Sequence, residues 1–251
     1  MSDSNHSVKI MSFNISSGVR LDGHLDLELT ASVIEEAGAD IAGLQEVDQN
    51  FSERTDFADQ VKWLTNRLNM QAAFGPNVTI DTAEGRGPAQ AYGNAILSRH
   101  PIKSYLNHPL EKLASEEESE QRGLLEAIIE IEGTPIAFFN THLSLKEKQL
   151  AHNVEELLEI IKQKDIPTIL TGDFNANPDN PHMMRIEDEL NNIFGTTAMY
   201  PATFKKQGDH GQTIDFIFCS EHWRVLSAET VDTEASDHRP VLASIKLDPE
   251  A

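Results

Sequence analysis

Five apolar runs in this sequence end in side chains able to bind a cation, move a proton or grip an anion. Asn14 closes Ser12-Phe13-Asn14, Glu46 lies in Leu44-Gln45-Glu46-Val47, and His142 in Phe139-Asn140-Thr141-His142-Leu143. Asp173 and Asn175 share Leu170-Thr171-Gly172-Asp173-Phe174-Asn175, and Asp237 and His238 share Ala235-Ser236-Asp237-His238-Arg239-Pro240. A sixth candidate, Asp215, stands between Ile214 and Phe216, where a carboxylate is costly to bury without a histidine or a metal as partner. Singly, each has an ordinary explanation, because Asn and Gly-Asp favour turns and a lone histidine is more often structural. Together, the oxygen donors of Asn14, Glu46 and Asp237 suit a hard cation, Mg2+ or Mn2+.

Other chemistries have no anchor. The chain lacks HExxH and any cysteine-rich zinc spacing. It also lacks GxxxxGK[ST], GxGxxG and GxSxG, which removes the nucleoside-triphosphate, dinucleotide and serine-hydrolase readings.

The elements that must position these residues follow from apolar patterning. Short β-branched and aromatic runs at 8–13, 41–44, 95–97, 124–131, 135–140, 168–170, 213–218 and 241–247 predict strands. Helical periodicity marks 25–37, 57–68 and 146–164; in the last, Leu150, Val154, Leu157, Leu158 and Ile161 fall on one stripe. The candidate residues therefore sit at the carboxyl ends of strands, with helices outside. Residues 77–90 and 111–121 read as long loops, the second carrying the acidic run Glu116-Glu117-Glu118-Ser119-Glu120 as a solvated turn. Without repeats or a Pro/Gly/Ser-rich linker, residues 1–251 read as one domain.

Against 41 acidic residues stand 20 basic ones, a net charge of −21. That balance repels phosphate backbones at long range and argues against sequence-independent DNA binding, although a bound cation reverses the field locally. The single cysteine, Cys219, cannot close an intrachain disulfide, so a reducing compartment suits the chain. No apolar stretch approaches the ~20 residues that span a bilayer, and the first residues lack a basic, apolar leader, so stable membrane insertion is not expected and a cytoplasmic location is.

Seven blocks, in order, resemble the endonuclease/exonuclease/phosphatase superfamily, which includes deoxyribonuclease I, exonuclease III, neutral sphingomyelinases and inositol-polyphosphate 5-phosphatases. They are Met11-Ser12-Phe13-Asn14, Leu44-Gln45-Glu46-Val47, Tyr92-Gly93-Asn94-Ala95-Ile96-Leu97-Ser98-Arg99, Asn140-Thr141-His142-Leu143, Gly172-Asp173-Phe174-Asn175, Ile214-Asp215-Phe216-Ile217 and Ser236-Asp237-His238-Arg239-Pro240. The resemblance implies an α/β fold, a four-layer αββα sandwich of two mainly antiparallel sheets flanked by helices, with the site at one rim. It implies Glu46 as the principal ligand of Mg2+ or Mn2+, helped by Asn14 and Asp237, and Asp173 orienting or deprotonating water beside Asn175. His238, fixed by Asp215, and His142 would grip phosphoryl oxygens.

Arg122, in Gln121-Arg122-Gly123, divides evenly between a surface arginine and a phosphate clamp. Tyr92 and Asn94 are candidates for substrate contact or packing. The function expected is metal-dependent hydrolysis of a phosphate ester, a small or lipid-like diester or monoester, by in-line attack of water. The alternatives are a nuclease, with nucleic acid as its partner, and a non-catalytic binding protein that kept the fold. No protein partner is predicted.

Overall fold

The computed structural model describes residues 7–80, 89–116, 119–195, 200–205 and 211–248. Residues 81–88 of the first expected loop, and Glu117 and Glu118 of the acidic run, lie outside them. The chain runs β1 (Val8–Asn14), α1 (Leu27–Ala37), β2 (Ile41–Gln49), α2 (Gln60–Leu68), β3 (Gln71–Ile80), β4 (Gln90–Ser98), β5 (Ile102–Pro109), β6 (Gly123–Ile131) and β7 (Thr134–His142). It continues with α3 (Glu147–Ile161), β8 (Thr168–Asp173), α4 (Pro181–Glu187), β9 (Asn191–Asn192), β10 (Asp215–Cys219), β11 (Trp223–Thr230) and β12 (Val241–Leu247).

Two six-stranded sheets form, in the orders β11-β12-β1-β2-β4-β3 and β5-β6-β7-β8-β10-β9. Each is antiparallel except for one central parallel pair, β1 with β2 and β7 with β8. Each parallel pair is joined by a helix, as parallel strands require a crossover. The apolar face of each sheet that packs on the other carries Ile10, Ile41, Ile136, Phe138 and Ile169. The opposite faces receive the helices: Ala31, Ile34 and Leu64 meet Phe13 and Leu44 on one side, and Leu150, Val154 and Leu157 meet Phe139 and Leu170 on the other. Three apolar layers between four structural ones are the expected αββα sandwich, and each fully buried Phe, Leu or Ile stabilises it by roughly 1.5–3 kcal/mol.

Local chemistry sets the helix ends. Asp26 and Asp59 accept from Leu29 N and Lys62 N, starting α1 and α2 two or three residues later than the apolar periodicity suggests. Gly38, at φ +66°, ends α1 in the left-handed conformation that suits glycine. The sequence pattern misses β3, β5, β9, β11 and α4. Strands β3, β5, β9 and β11 are the sheet edges, where solvated faces blur the alternation, and α4 is a seven-residue helix with proline in its first turn. Part of the expected 77–90 loop belongs to β3.

Toward the carboxyl ends of the parallel strands the layer between the sheets becomes polar. Ser12, Gln45, Asn140 and Thr171 are all fully buried there. Gly43 makes the close approach feasible: a Cβ on it would lie 2.1 Å from Thr171 Oγ1 and 2.8 Å from Asn140 Oδ1.

Candidate active site

The ends of the two parallel pairs meet above this polar layer. Asn14 ends β1 and bridges the sheets, its Nδ2 donating to Glu46 Oε1 (3.1 Å) and to Asp173 Oδ2 (3.0 Å), while its Oδ1 accepts from Ser16 N (3.0 Å). Glu46 is half-buried at φ +57°, where the register of β2 against β4 shifts. A left-handed glutamate is costly and persists only where its surroundings hold it, commonly at functional sites.

The parallel register of β7 with β8 sets His142 beside Asp173, 3.5 Å from His142 Nε2 to Asp173 Oδ2. The antiparallel register of β8 with β10 sets Asp215 across from Asp173. His238 Nδ1 lies 2.8 Å from Asp215 Oδ2, and its Nε2 lies 3.7 Å from Asp173 Oδ2. The segment holding His238 is tied down: its N–H donates to Ser236 Oγ, which donates to the Asn14 carbonyl, and Phe204 packs on the ring at 4.8 Å between centroids. Thr203 Oγ1 accepts from Ile214 N and Asp215 N, fixing the start of β10.

Electrostatics divides these groups. Burial, and then the neighbouring Asp215, push the Asp173 carboxyl up to about 7. Burial works against a charged His238, but Asp215 and Asp173 outweigh it and raise the ring to about 10. Burial, with Arg122 and His238 adding, holds His142 well below the usual histidine value, so it is neutral at pH 7. One rim thus holds a carboxylate poised near neutrality between a protonated and a neutral imidazole.

This convergence can be compared with known proteins. The sequence profile of the endonuclease/exonuclease/phosphatase family matches residues 11–238. The chain belongs to that family. It is similar to the uncharacterised protein YbhP of Escherichia coli K12, 27% identical over 222 residues and 80% of each chain. An endonuclease/exonuclease/phosphatase structure from Beutenbergia cavernae superposes with a TM-score of 0.81 at 24% identity, over 97% of this chain and 72% of that one. A mannosyl-6-phosphatase from Bacteroides thetaiotaomicron gives 0.72 at 20% identity, over 96% of this chain and all of that one. At these identities the structures show a shared fold. Members of the endonuclease/exonuclease/phosphatase family are hydrolases of phosphate esters.

The donor set fits a metal ion, on which this family typically depends. Oxygen and imidazole donors gather at the rim, whereas Cys219, the only thiol, lies inside β10 with its pKa raised to about 11 by burial. Asp173, Asp215 and His238 offer ligand atoms within 4.8 Å of one another and could hold a metal ion. His238 Nδ1 and Asp215 Oδ2 are engaged with each other at 2.8 Å and all three residues are buried, so the half-exposed Glu46 carboxylate is the readier ligand. Asp237 is half-buried next to His238, at the edge of a cleft of about 640 Å³ also walled by Leu21, Lys205, Asp232, Glu234 and Arg239.

The remaining expected residues lie on the His142 and Glu46 side. Arg122 is buried, which corrects its reading as a surface arginine; it pairs with Glu120 at 2.9 Å, and its Nε is buried without a partner. Tyr92 is buried, its ring tilted against Phe51 at 5.5 Å between centroids, and it keeps its phenol protonated through burial and the charges of Glu46 and Glu120. Asn94 donates to the Gly123 carbonyl across the sheets (3.2 Å). Asn175, at φ +52°, donates its side-chain N–H to the Leu143 carbonyl, and its backbone N–H to Asp173 Oδ1.

Sequence reasoning missed Arg54, which lies 5.6 Å over the Tyr92 ring and 3.1 Å from Asp48. It also missed Thr203 and Ser236, the supports of Asp215 and His238. No single-sequence signal marks a hydroxyl that acts through backbone, although Ser236 lies inside a block already singled out.

Proposed function

We propose that the chain is a Mg2+- or Mn2+-dependent hydrolase of a small or lipid-like phosphate ester, working by in-line attack of water. The observation that carries this is the single Asp173 carboxylate held at once by Asn14 from the first sheet and flanked by both histidines. The net charge of −21 supports a small phosphoester over a polymer.

Glu46 would hold the cation, with Asp237 from the segment that precedes β12. Asn14 steadies Glu46 with its Nδ2 and could add its oxygen only by leaving Ser16 N. A bound divalent cation polarises a phosphoryl oxygen and stabilises charge on the leaving oxygen. Asp173, poised near 7, accepts the proton of the attacking water, with Asn175 N–H and Asn14 Nδ2 fixing its two oxygens. His238 gives its Nδ1 proton to the bond with Asp215 and so aims Nε2–H at a non-bridging oxygen. Neutral His142 has one N–H for a second such oxygen. Arg122, short of partners in a buried place, is the natural clamp for a further anionic oxygen, and Tyr92 closes that side. Asn94 is committed to joining the sheets and is assigned a packing role.

The test is release of p-nitrophenol from bis(p-nitrophenyl) phosphate and from p-nitrophenyl phosphate, with Mg2+ or Mn2+, with and without chelator. Metal-dependent turnover that disappears in Glu46→Gln is expected. Turnover no greater than that variant's, on those esters and on sphingomyelin, sugar phosphates, single-stranded DNA and RNA, would refute the enzyme reading. A clear preference for the nucleic acids would favour the nuclease instead.

A further inference from the structure

We infer that Asn140, a residue of the second sheet, holds the β-bulge in the first sheet that presents Glu46, and so acts as a positioning residue for the site. The bulge lies between the pairs Leu44↔Ala95 and Val47↔Gly93. There β2 spends two residues, Gln45 and Glu46, where β4 spends one, Asn94. Bulges of this kind re-aim side chains, and this one puts Glu46 at φ +57°, a conformation that needs external support.

The support comes from across the sandwich. Asn140 Nδ2 donates to the Leu44 carbonyl (2.8 Å) and the Ala95 carbonyl (2.9 Å), the two carbonyls of the last pair before the register breaks. Its Oδ1 accepts from Gln45 Nε2 (2.6 Å), the other bulge residue, and from Thr171 Oγ1 (3.1 Å). An amide side chain offers two donors and an acceptor oxygen with two lone pairs, and all are used. Three of the four partners frame the bulge. The residue is fully buried, so each bond it makes is one that water cannot replace.

The placement also couples the two sheet ends. Asn140 precedes His142 by two residues on β7, and the β7–β8 register pairs Asn140 with Thr171 and His142 with Asp173. One strand therefore delivers His142 and, a dipeptide earlier, fixes the bulge that delivers Glu46. Gly43 completes the arrangement, because any side chain there would collide with Thr171 and Asn140.

The role of Glu46 as cation ligand rests on the proposed hydrolase; the hold on the bulge does not. Two variants test it: Asn140→Ala, which removes all four bonds, and Asn140→Asp, which keeps the size and the accepting oxygen but replaces the donors facing Leu44 and Ala95. Amide hydrogen exchange of 45–47 should quicken about tenfold or more relative to α3, because bonds local to the bulge are lost. Calorimetric Mn2+ affinity should fall about tenfold or more, as when an outer support of a ligand is removed. Thr171→Val, which removes one bond to Asn140 but none to the bulge, should change both by less than about threefold.

Uniform acceleration of exchange across the chain, or unchanged exchange at 45–47, would overturn the inference. So would failure of both Asn140 variants to fold, since Asn140 would then act on the whole sandwich. If the parent protein binds no Mn2+ and cleaves no ester, the hydrolase proposal falls, and exchange alone decides the bulge.

Discussion

The two sheets are built alike and used differently. In both, a hairpin lies beside a parallel pair joined by a helix, which a second helix and two further strands follow: β1-α1-β2-α2-β3-β4, with the hairpin β11-β12 added from the far end of the chain, and β5-β6-β7-α3-β8-α4-β9-β10. Equivalent strand ends carry Asn14 and Glu46 in the first and His142 and Asp173 in the second. The first sheet breaks its register there and leaves its carboxylate half-exposed. In the second the β8–β10 pairing stays regular, and Asp173 and Asp215 are buried opposite one another. An open carboxylate is free to ligate a cation, whereas burial beside Asp215 raises Asp173 into the range of a base. The comparison teaches that one topology supplies a cation end and a proton end according to whether its central ladder is bulged.

The largest effect should come from the open end. Glu46→Gln should lower kcat/KM on bis(p-nitrophenyl) phosphate about a thousandfold, the several kcal/mol a cation supplies, with little change in Tm because the side chain is half-exposed. At the closed end, Asp215→Asn should cost about a hundredfold in kcat by loosening His238, and less in stability than in turnover. Unfolding of that variant with normal activity in its folded fraction would make Asp215 structural.

A pH series sharpens the same contrast. Asp173 must be ionised to accept a proton, so with its pKa at about 7 the rate should fall about tenfold per pH unit below neutrality. A profile flat from pH 5 to 8 would remove Asp173 as the rate-determining base. The smallest effect concerns stability. His238 is raised to about 10, above its unfolded value of about 6.5, so its contribution is complete below that value and is lost as pH rises through 10. Asp173 is already ionised over most of that window. Tm should therefore fall from pH 7 to 10 more steeply in the parent than in Asp215→Asn; parallel slopes would contradict the assignment.

The strands that carry the site were legible because β1, β2, β7 and β8 are buried on both faces and read as apolar runs. Edge strands were not: β5, Ile-Lys-Ser-Tyr-Leu-Asn-His-Pro, has a mostly exposed pattern with no clean period. Asp215 was legible because a carboxylate among isoleucine and phenylalanine demands a partner, and His238 is that partner at 2.8 Å. Arg122 was only half legible, since a charged residue before a strand gives no hint of its burial. The bulge at Glu46 was invisible, because the bonds that hold it join residues nearly a hundred positions apart.

The central claim is that both sheet ends act on one phosphate. A double-mutant cycle on kcat/KM with Glu46→Gln and His142→Asn tests it most directly. Residues serving one transition state are strongly non-additive, so the double variant should retain at least about ten times the activity that the product of the single losses gives. Losses that simply multiply would place the two ends in separate events.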